Sequence, residues 1–300
     1  MQKIWLDGVL VPKNEAVVSV YDHGLLYGDG VFEGIRVYGG RIFKMGQHIE
    51  RLWESAAAIR LEIPFTKEAV AKGMRDTVAA CGLSDAYIRL VVTRGAGTLG
   101  LDPRKCPKAC VFCIADKIQL YPESLYEKGM KIIVAKRPRI PIACLDPSIK
   151  SLNYLNNILA KLEAIDADVL EAIMLNTDGY VGECTGDNIF GIFRSGASSS
   201  SGSGGTIVTP PASAGILKGI TRRFVVEVLG PALGFKVEER MMKLPELLKA
   251  DEIFLTGSAA EIIGVSQIDD VVIGSGVVGP ATKALTKEFR ARVAQNAPED

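Results

Sequence analysis

The stretch Asp146-Pro-Ser-Ile-Lys-Ser-Leu-Asn-Tyr-Leu-Asn-Asn157 places one cation, Lys150, among apolar and amide side chains, with no acidic residue within three positions. A lysine on a solvated helix face ordinarily has charged company. This one follows a proline-containing turn, and the pattern predicts a helix from about Lys150 to Asp166. The positive end of a helix disfavours a protonated amine, and a Schiff-base lysine needs an amine that gives up its proton readily. The plainer alternative is a lysine at a helix start with its head in water, and the stretch taken alone favours it.

Three other places in the second half carry the same pair of readings. Gly219-Ile-Thr221 opens a helix after PPASAGILKG, so free backbone N–H groups and a hydroxyl there form either an anion cradle or an ordinary first turn. Leu255-Thr-Gly-Ser-Ala-Ala260 ends a strand in small residues, which lets amides approach a ligand or makes a tight strand-to-helix turn. Glu183, in Val181-Gly-Glu-Cys-Thr-Gly-Asp-Asn188 beyond a DG turn, is either a partner for a ring nitrogen or a solvated carboxylate.

Outward from these sites the chain reads as α+β. A short hairpin (KIWL, Gly8, VLV) opens it, and GVFEGIRVY turns at Gly39-Gly40 into RIF. MGQHIERLWESAAAIRL repeats Ile49, Leu52, Trp53, Ala56 and Ile59 at helical spacing, with Arg51 off the stripe. A second helix covers Thr66 to Cys81 with Thr66 as N-cap, and the strands AYIRLVVTR and ACVFCIA follow. The expected division is a small domain over 1–117, a linker over 118–130 containing IQLYPESLYEKG, and a larger domain over 131–300. The larger domain alternates MKIIVAK, the helix to Asp166, EAIML, an NTDG turn, DNIFGIF, GITRRFVVEVL, KVEERM, LPELLKA, EIFLTG and a helix from Pro280. SGASSSSGSGG (195–205) is low-complexity and is expected to extend into solvent.

Composition narrows the partners. With 300 residues, 48% hydrophobic and 23% charged, the chain has a globular balance. Its 35 basic and 35 acidic residues cancel, leaving no basic excess for nucleic acid or a membrane surface. No apolar run reaches a membrane span, and MQKIWLDGVLVPKNEAV reads as a hairpin rather than a signal core. The six cysteines are few and mostly in apolar stretches, consistent with reduced thiols in a cytoplasm. Cys106, Cys110 and Cys113 lack a nearby histidine and read as structural thiols rather than metal ligands. His23, in a DHG turn, and His48 read as structural or supporting residues. GDGVFEG lacks the G-x-G-x-x-G spacing and the following helix of a dinucleotide loop.

YDHGLLYGDGVFEGIR, HIERL, YIRLVVTRGAGTLGLDP, KSLNYLNN, GECTGDNIF, GITR and TGSAAEI, in that order and spacing, resemble the class IV pyridoxal-phosphate aminotransferases. Within them the chain looks most like the branched-chain amino-acid aminotransferases, over nearly its whole length. The resemblance implies the two-domain fold-type IV architecture, with a small α+β domain and a larger domain of mixed sheets around a barrel-like core. It implies pyridoxal 5'-phosphate held through a Schiff base on Lys150, the catalytic residue. Glu183 would bond the pyridine nitrogen, Tyr154 the ring's phenolate oxygen, and Arg51, Ile220, Thr221 and Ser258 the phosphate. Tyr154 lies four positions beyond Lys150, about one turn if both lie on a helix.

For the substrate, the family's α-carboxylate contacts fall on Tyr87, Ser258 and Ala259, and Arg89 matches the arginine that accepts glutamate's distal carboxylate. Phe32, Tyr27 and Tyr121 would wall the side-chain pocket. Leu99 and Leu101 match loop residues supplied by a partner subunit, so a homodimer or larger homo-oligomer is expected. The implied reaction moves the amino group of leucine, isoleucine or valine to 2-oxoglutarate, giving a branched 2-oxo acid and glutamate. D-amino-acid aminotransferase and aminodeoxychorismate lyase are alternatives of the same fold; a non-catalytic pyridoxal-phosphate carrier or sensor is the alternative of another kind. The loop 195–205 is longer and richer in serine than the family's hairpin turn there.

Overall fold

Asp7 and Gly8, both at positive φ (46° and 98°), join Lys3–Leu6 (β1) to Val9–Pro12 (β2), the backbone that a two-residue hairpin loop requires. Gly39 and Gly40 (φ 54° and 79°) do the same between Gly30–Tyr38 (β3) and Arg41–Ile42 (β4). The structure, a computed structural model, describes residues 2–118, 121–194 and 204–295; most of the 195–205 loop lies outside them. The chain divides into two compact units. One comprises Met1–Gln119, Ile149–Asn153 and Val293–Asp300; the other comprises Leu120–Ser148 and Tyr154–Arg292.

In the first unit, Ala86–Thr93 (β5) and Cys110–Asp116 (β6) complete a six-stranded sheet of order β2-β1-β6-β5-β3-β4. The helices are His23–Tyr27 (α1), Met45–Ala58 (α2) and Lys67–Cys81 (α3). Leu52, Val70 and Met74 pack with Ile35, Ile88 and Leu90 into one fully buried cluster. The Thr66 hydroxyl accepts from Ala69 N at 3.2 Å to cap α3, which ends at Gly82 in the left-handed region. His23 lies not in a bare turn but at the start of α1, where the Asp22 carboxylate accepts from Gly24 N at 2.7 Å.

The second unit opens with Glu123–Lys128 (α4), so the stretch read as a linker contains a helix whose Tyr126 is buried. Then come Met130–Val134 (β7), Leu155–Asp166 (α5), Glu171–Leu175 (β8), Val181–Cys184 (β9), Asn188–Phe193 (β10) and Thr206–Thr209 (β11). Ile220–Phe224 (α6) continues as a π-helical turn, Val225–Leu229, into Gly230–Ala232 (α7). Pro231 has no N–H to return to the preceding turn, and the helix widens ahead of it. Lys236–Glu239 (β12), Leu244–Leu247 (α8), Glu252–Gly257 (β13), Glu261–Ile268 (β14), Val271–Val272 (β15) and Pro280–Gln295 (α9) complete the described elements. The mixed sheet runs β12-β11-β10-β13-β14-β7-β8-β9, with β15 beside β14, and forms a half-barrel. Among the described residues no helix is long and apolar enough to cross a membrane.

Two local expectations fail. Lys150 is not on a helix: α5 starts at Leu155, with Tyr154 as its N-cap residue. Residues 149–153 form an irregular segment with one bridge, Ser151 to Val31, because β3 and α2 take up their backbone groups. Phe32 N donates to Lys150 O at 3.0 Å, Leu152 N to Gly30 O at 2.9 Å, and Lys150 N to Ser55 Oγ at 3.1 Å. The helix-end argument for Lys150 and the one-turn relation to Tyr154 therefore do not hold. The second failure is Thr256–Ala260, which leads into a hairpin with Gly257 opposite Glu261, not into a helix; β14 was not legible because no turn dipeptide marks it. Thr66→Ala is expected to lower the stability of the chain by about 1 kcal/mol through loss of the α3 cap, read as a shift of the urea midpoint at unchanged slope.

Candidate active site

In the first unit, Phe32 is the meeting point. The Lys150 ammonium lies 4.6 Å from the centre of its ring, and the Arg89 guanidinium lies 4.5 Å from the same ring. Arg89 also stands 5.7 Å from the Tyr87 ring. The antiparallel register explains this: Gly34 is opposite Arg89 and Arg36 opposite Tyr87, so alternate residues of β3 and β5 share one face. Gly34 leaves the space that Tyr87 uses, since a Cβ there would lie 1.8 Å from the Tyr87 hydroxyl oxygen. The structure thus brings Lys150, Phe32, Tyr87 and Arg89 together. Tyr27 stands with the predicted loop residues instead: its hydroxyl accepts from Gly100 N at 3.0 Å, between Leu99 and Leu101, both exposed.

Behind Phe32, the adjacent Glu33 is fully buried and holds two side chains of α2. Arg51 binds it through Nε and Nη2 at 2.8 and 2.7 Å, and His48 Nδ1 lies 2.7 Å from Oε2. His48, Arg51 and Ser55 recur at helical spacing and are all buried, a polar stripe beside the apolar one. Burial would raise the Glu33 carboxyl, but Arg51 and His48 outweigh it and hold it far below the usual range. Burial pulls the His48 imidazole down, against the pull of Glu33. Glu33 and the role of His48 as its partner were missed in the sequence; the available signal was the i, i+3, i+7 spacing of three polar residues on one helix.

In the second unit the fixed point is Glu183. Arg139 Nη2 donates to Oε1 at 2.5 Å, while Asn188 Nδ2 and Leu217 N donate to Oε2 at 2.9 and 3.0 Å. Arg139 is itself held by Asn157 Oδ1 at 2.6 Å. Asn157 lies on α5 three residues after Tyr154, placing that tyrosine near the same helix face. Asn188 also donates to Leu217 O at 2.9 Å, tying Glu183 to the loop that delivers Ile220 and Thr221 to the start of α6. Ser258 follows on from the pairing of Asn188 with Thr256. Beyond Glu183, the buried Glu171 accepts from Thr185 N at 3.0 Å and Gly186 N at 3.1 Å and holds the turn. Tyr121 packs against the core of this unit, and burial pushes its phenol up, keeping it a neutral donor.

A hydroxyl two positions before Ser258 is left over in this unit, as a phosphate site would need. The Thr256 hydroxyl is buried without a hydrogen-bond partner among the described residues. A Cβ at Gly219 would lie 2.1 Å from Asn188 Oδ1, and one at Gly257 1.9 Å from Asp187 Oδ1, so both glycines are required for backbone to come this close. Burial pushes the Cys110 and Cys113 thiols up to about 12, which suits structural cysteines.

The family model for amino-transferase class IV matches residues 30–268. The chain belongs to the class IV aminotransferases. It is accordingly a pyridoxal-phosphate-dependent transaminase of mixed α+β fold. It is 48% identical over 288 residues to a protein of Methanocaldococcus jannaschii provisionally named branched-chain-amino-acid aminotransferase, covering 96% of this chain and 95% of that one. It is 35% identical over 287 residues to the D-alanine aminotransferase of Bacillus licheniformis, covering 94% and 93%. The structure resembles that of the branched-chain aminotransferase from Thermoproteus uzoniensis with norvaline, with TM-score 0.89, 37% identity and coverage of 98% and 95%.

The buried cluster sets a pH dependence. The Glu33 carboxyl lies lower folded than unfolded, so its stabilisation is present above about pH 4.3 and is lost as pH falls toward the folded value. His48 is also lowered, so its neutral form favours folding above the ordinary value of 6.5, and acid removes that too. Glu33→Gln is expected to cost about 3–5 kcal/mol near pH 7, because Arg51 stays buried without its counter-charge. The same variant should flatten the fall in stability between about pH 5 and 3. Urea midpoints across pH 3–8 check this; parallel curves for wild type and variant would contradict it.

Proposed function

We propose that the chain transfers the amino group of leucine, isoleucine or valine to 2-oxoglutarate. The observation that carries this reading is the 48% identity along nearly the full length to the archaeal branched-chain relative, against 35% to the D-alanine aminotransferase. The pocket chemistry supports it: Phe32 and Tyr87 offer apolar wall, and Arg89 lies against both rings. A guanidinium stacked on aromatic faces remains partnered while an aliphatic side chain is bound. The same group can then accept the distal carboxylate of glutamate.

Pyridoxal phosphate, when bound, supplies an aldehyde that exchanges amines and a ring that accepts the electron pair left at the substrate's α-carbon. Lys150 Nζ would hold the cofactor through its aldehyde, and the same amine is placed to take a proton from the substrate's α-carbon and return it. Glu183, oriented by Arg139, would bond the ring nitrogen. Tyr154 donates to the phenolate oxygen. Arg51, Thr221, Ser258 and the amide of Ile220 hold the phosphate, with Glu33 fixing the plane of the Arg51 guanidinium. Tyr87 and the amides of Ser258 and Ala259 bind the α-carboxylate. Phe32, Tyr27 and Tyr121 shape the side-chain pocket, and Leu99 and Leu101 serve the site of a partner subunit. A cytoplasmic setting belongs to the same reading and rests on the sparse cysteines of the sequence.

Steady-state rates with L-leucine, L-isoleucine, L-valine and D-alanine, using 2-oxoglutarate as acceptor, test the assignment in wild type and Arg89→Leu. The three branched donors should lead in wild type. The variant should raise KM for 2-oxoglutarate by about 10- to 100-fold, the worth of a charge-assisted hydrogen bond, while the leucine KM changes less than about threefold. Preference for D-alanine would overturn the branched-chain reading, and an unchanged 2-oxoglutarate KM would remove Arg89 from it.

A further inference from the structure

Thr256, near the end of β13, carries a hydroxyl that the fold leaves over. The residue is 1% exposed, and its Oγ1 has no hydrogen-bond partner among the described residues. Other buried threonines of the same unit use theirs. Thr209 donates to Ile189 O at 2.9 Å, and Thr282 donates to the Glu252 carboxylate at 2.8 Å. A buried hydroxyl without a partner costs the full loss of its hydration. Valine has nearly the same shape, suits a strand at least as well and carries no such cost. Packing alone therefore gives no reason for a threonine here.

Its neighbours define what the hydroxyl faces. Thr256 stands directly opposite Asn188 in the antiparallel pairing of β13 with β10, so both side chains leave the sheet on one face. On that face Asn188 Nδ2 donates to Glu183 Oε2 and to Leu217 O, each at 2.9 Å. Asn188 Oδ1 lies so near Gly219 that a Cβ there would stand 2.1 Å from it. The face that carries Thr256 thus also carries the loop entering α6, and α6 packs against β13. Gly219 has no side chain to cap the first turn of that helix, which runs on through the π-helical turn to Ala232. Its opening N–H groups lie beyond the reach of intrahelical acceptors.

We propose that Thr256 Oγ1 donates a hydrogen bond to the phosphate of the cofactor, as one more ligand beside the first turn of α6. The proposal rests on the reading that this turn takes that phosphate. The groups that open α6 are donors: the N–H groups of Ile220 and Thr221 and the Thr221 hydroxyl. The nearest acceptors on the same face, Glu183 Oε2 and Leu217 O, already receive the Asn188 amide. A leftover hydroxyl among donors calls for an incoming acceptor, and a phosphate brings several oxygens at once. Its bond to an ionised group is stronger than one to a neutral partner, which offsets the cost of keeping the hydroxyl buried.

The test is read from binding and unfolding, without turnover. Calorimetric titration of the full chain, freed of cofactor, compares pyridoxamine 5'-phosphate with pyridoxamine, which lacks the phosphate, in wild type, Thr256→Val and Thr256→Ser. Wild type should prefer the phosphorylated ligand. Thr256→Val should weaken that ligand about 10- to 100-fold, the range of one hydrogen bond to a charged group, and change pyridoxamine binding by less than about threefold. Thr256→Ser keeps the hydroxyl and should stay within about threefold of wild type for both. Thermal unfolding supplies the second reading. Without ligand, Thr256→Val should unfold at the wild-type temperature or above it, because a costly buried hydroxyl has gone. At a fixed concentration of pyridoxamine 5'-phosphate its upward shift should be smaller than that of wild type. Unchanged affinity of Thr256→Val for the phosphorylated ligand would overturn the proposal while leaving the phosphate at α6. A variant that unfolds earlier without ligand, or does not fold, would overturn it by showing a structural partner for the hydroxyl. Equal wild-type affinity for the two ligands would overturn the placement of the phosphate and the proposal with it.

Discussion

Five residues, Ile149 to Asn153, form a strap whose main chain is hydrogen-bonded to β3 and α2, and the placement of Lys150 depends on it. Backbone donors and acceptors demand partners when removed from water. Here Gly30, Phe32 and Ser55 supply them, and Asn153 Nδ2 adds a bond to Gly28 O at 2.8 Å. A lysine tethered on both sides of its Cα presents its amine in a narrow range of directions. The amine meets the Phe32 ring, whose face attracts a cation yet offers no proton acceptor as strong as a carboxylate.

Two buried carboxylates organise the rest, and both are met by arginine. Glu33 is gripped by two nitrogens of Arg51, and Glu183 shares Arg139 with Asn157. A planar, permanently charged guanidinium fixes the orientation of the carboxylate it binds. The energetic return of such pairs is small against a well-packed apolar alternative, while breaking one is costly. Their use here is geometric: each fixes the side chain or loop beside it, Arg51 on α2 in one unit and the Leu217–Thr221 approach to α6 in the other.

Local chemistry was legible and long-range chemistry was not. Both glycine-marked hairpins, the periodicity of α2, and the Thr66 cap of α3 are written in a few adjacent residues, and the structure has them. Lys150, Glu183 and the GITR and TGSAA strings each had a plainer reading at least as good when taken alone, and the family resemblance joined them into one candidate site. The conformation around Lys150 was misread because partners in β3 and α2, remote in sequence, outcompete the local helical pattern. Arg139, Asn157 and Asn188 went unassigned for the same reason. Arg139 and Glu183 stand 44 positions apart, and no spacing rule reaches across that distance. β14 was lost because EIIGVSQI follows its partner strand through residues that also suit a helix start.

The placement of the cofactor on Lys150 is tested most directly by reducing the pyridoxal-phosphate-loaded protein with borohydride, digesting it, and mapping the phosphopyridoxyl mass by tandem spectrometry. The strap predicts that the added mass falls on Lys150 alone and disappears in Lys150→Ala. Recovery of the label on a different lysine, or of none from wild type, would contradict the assignment of that residue.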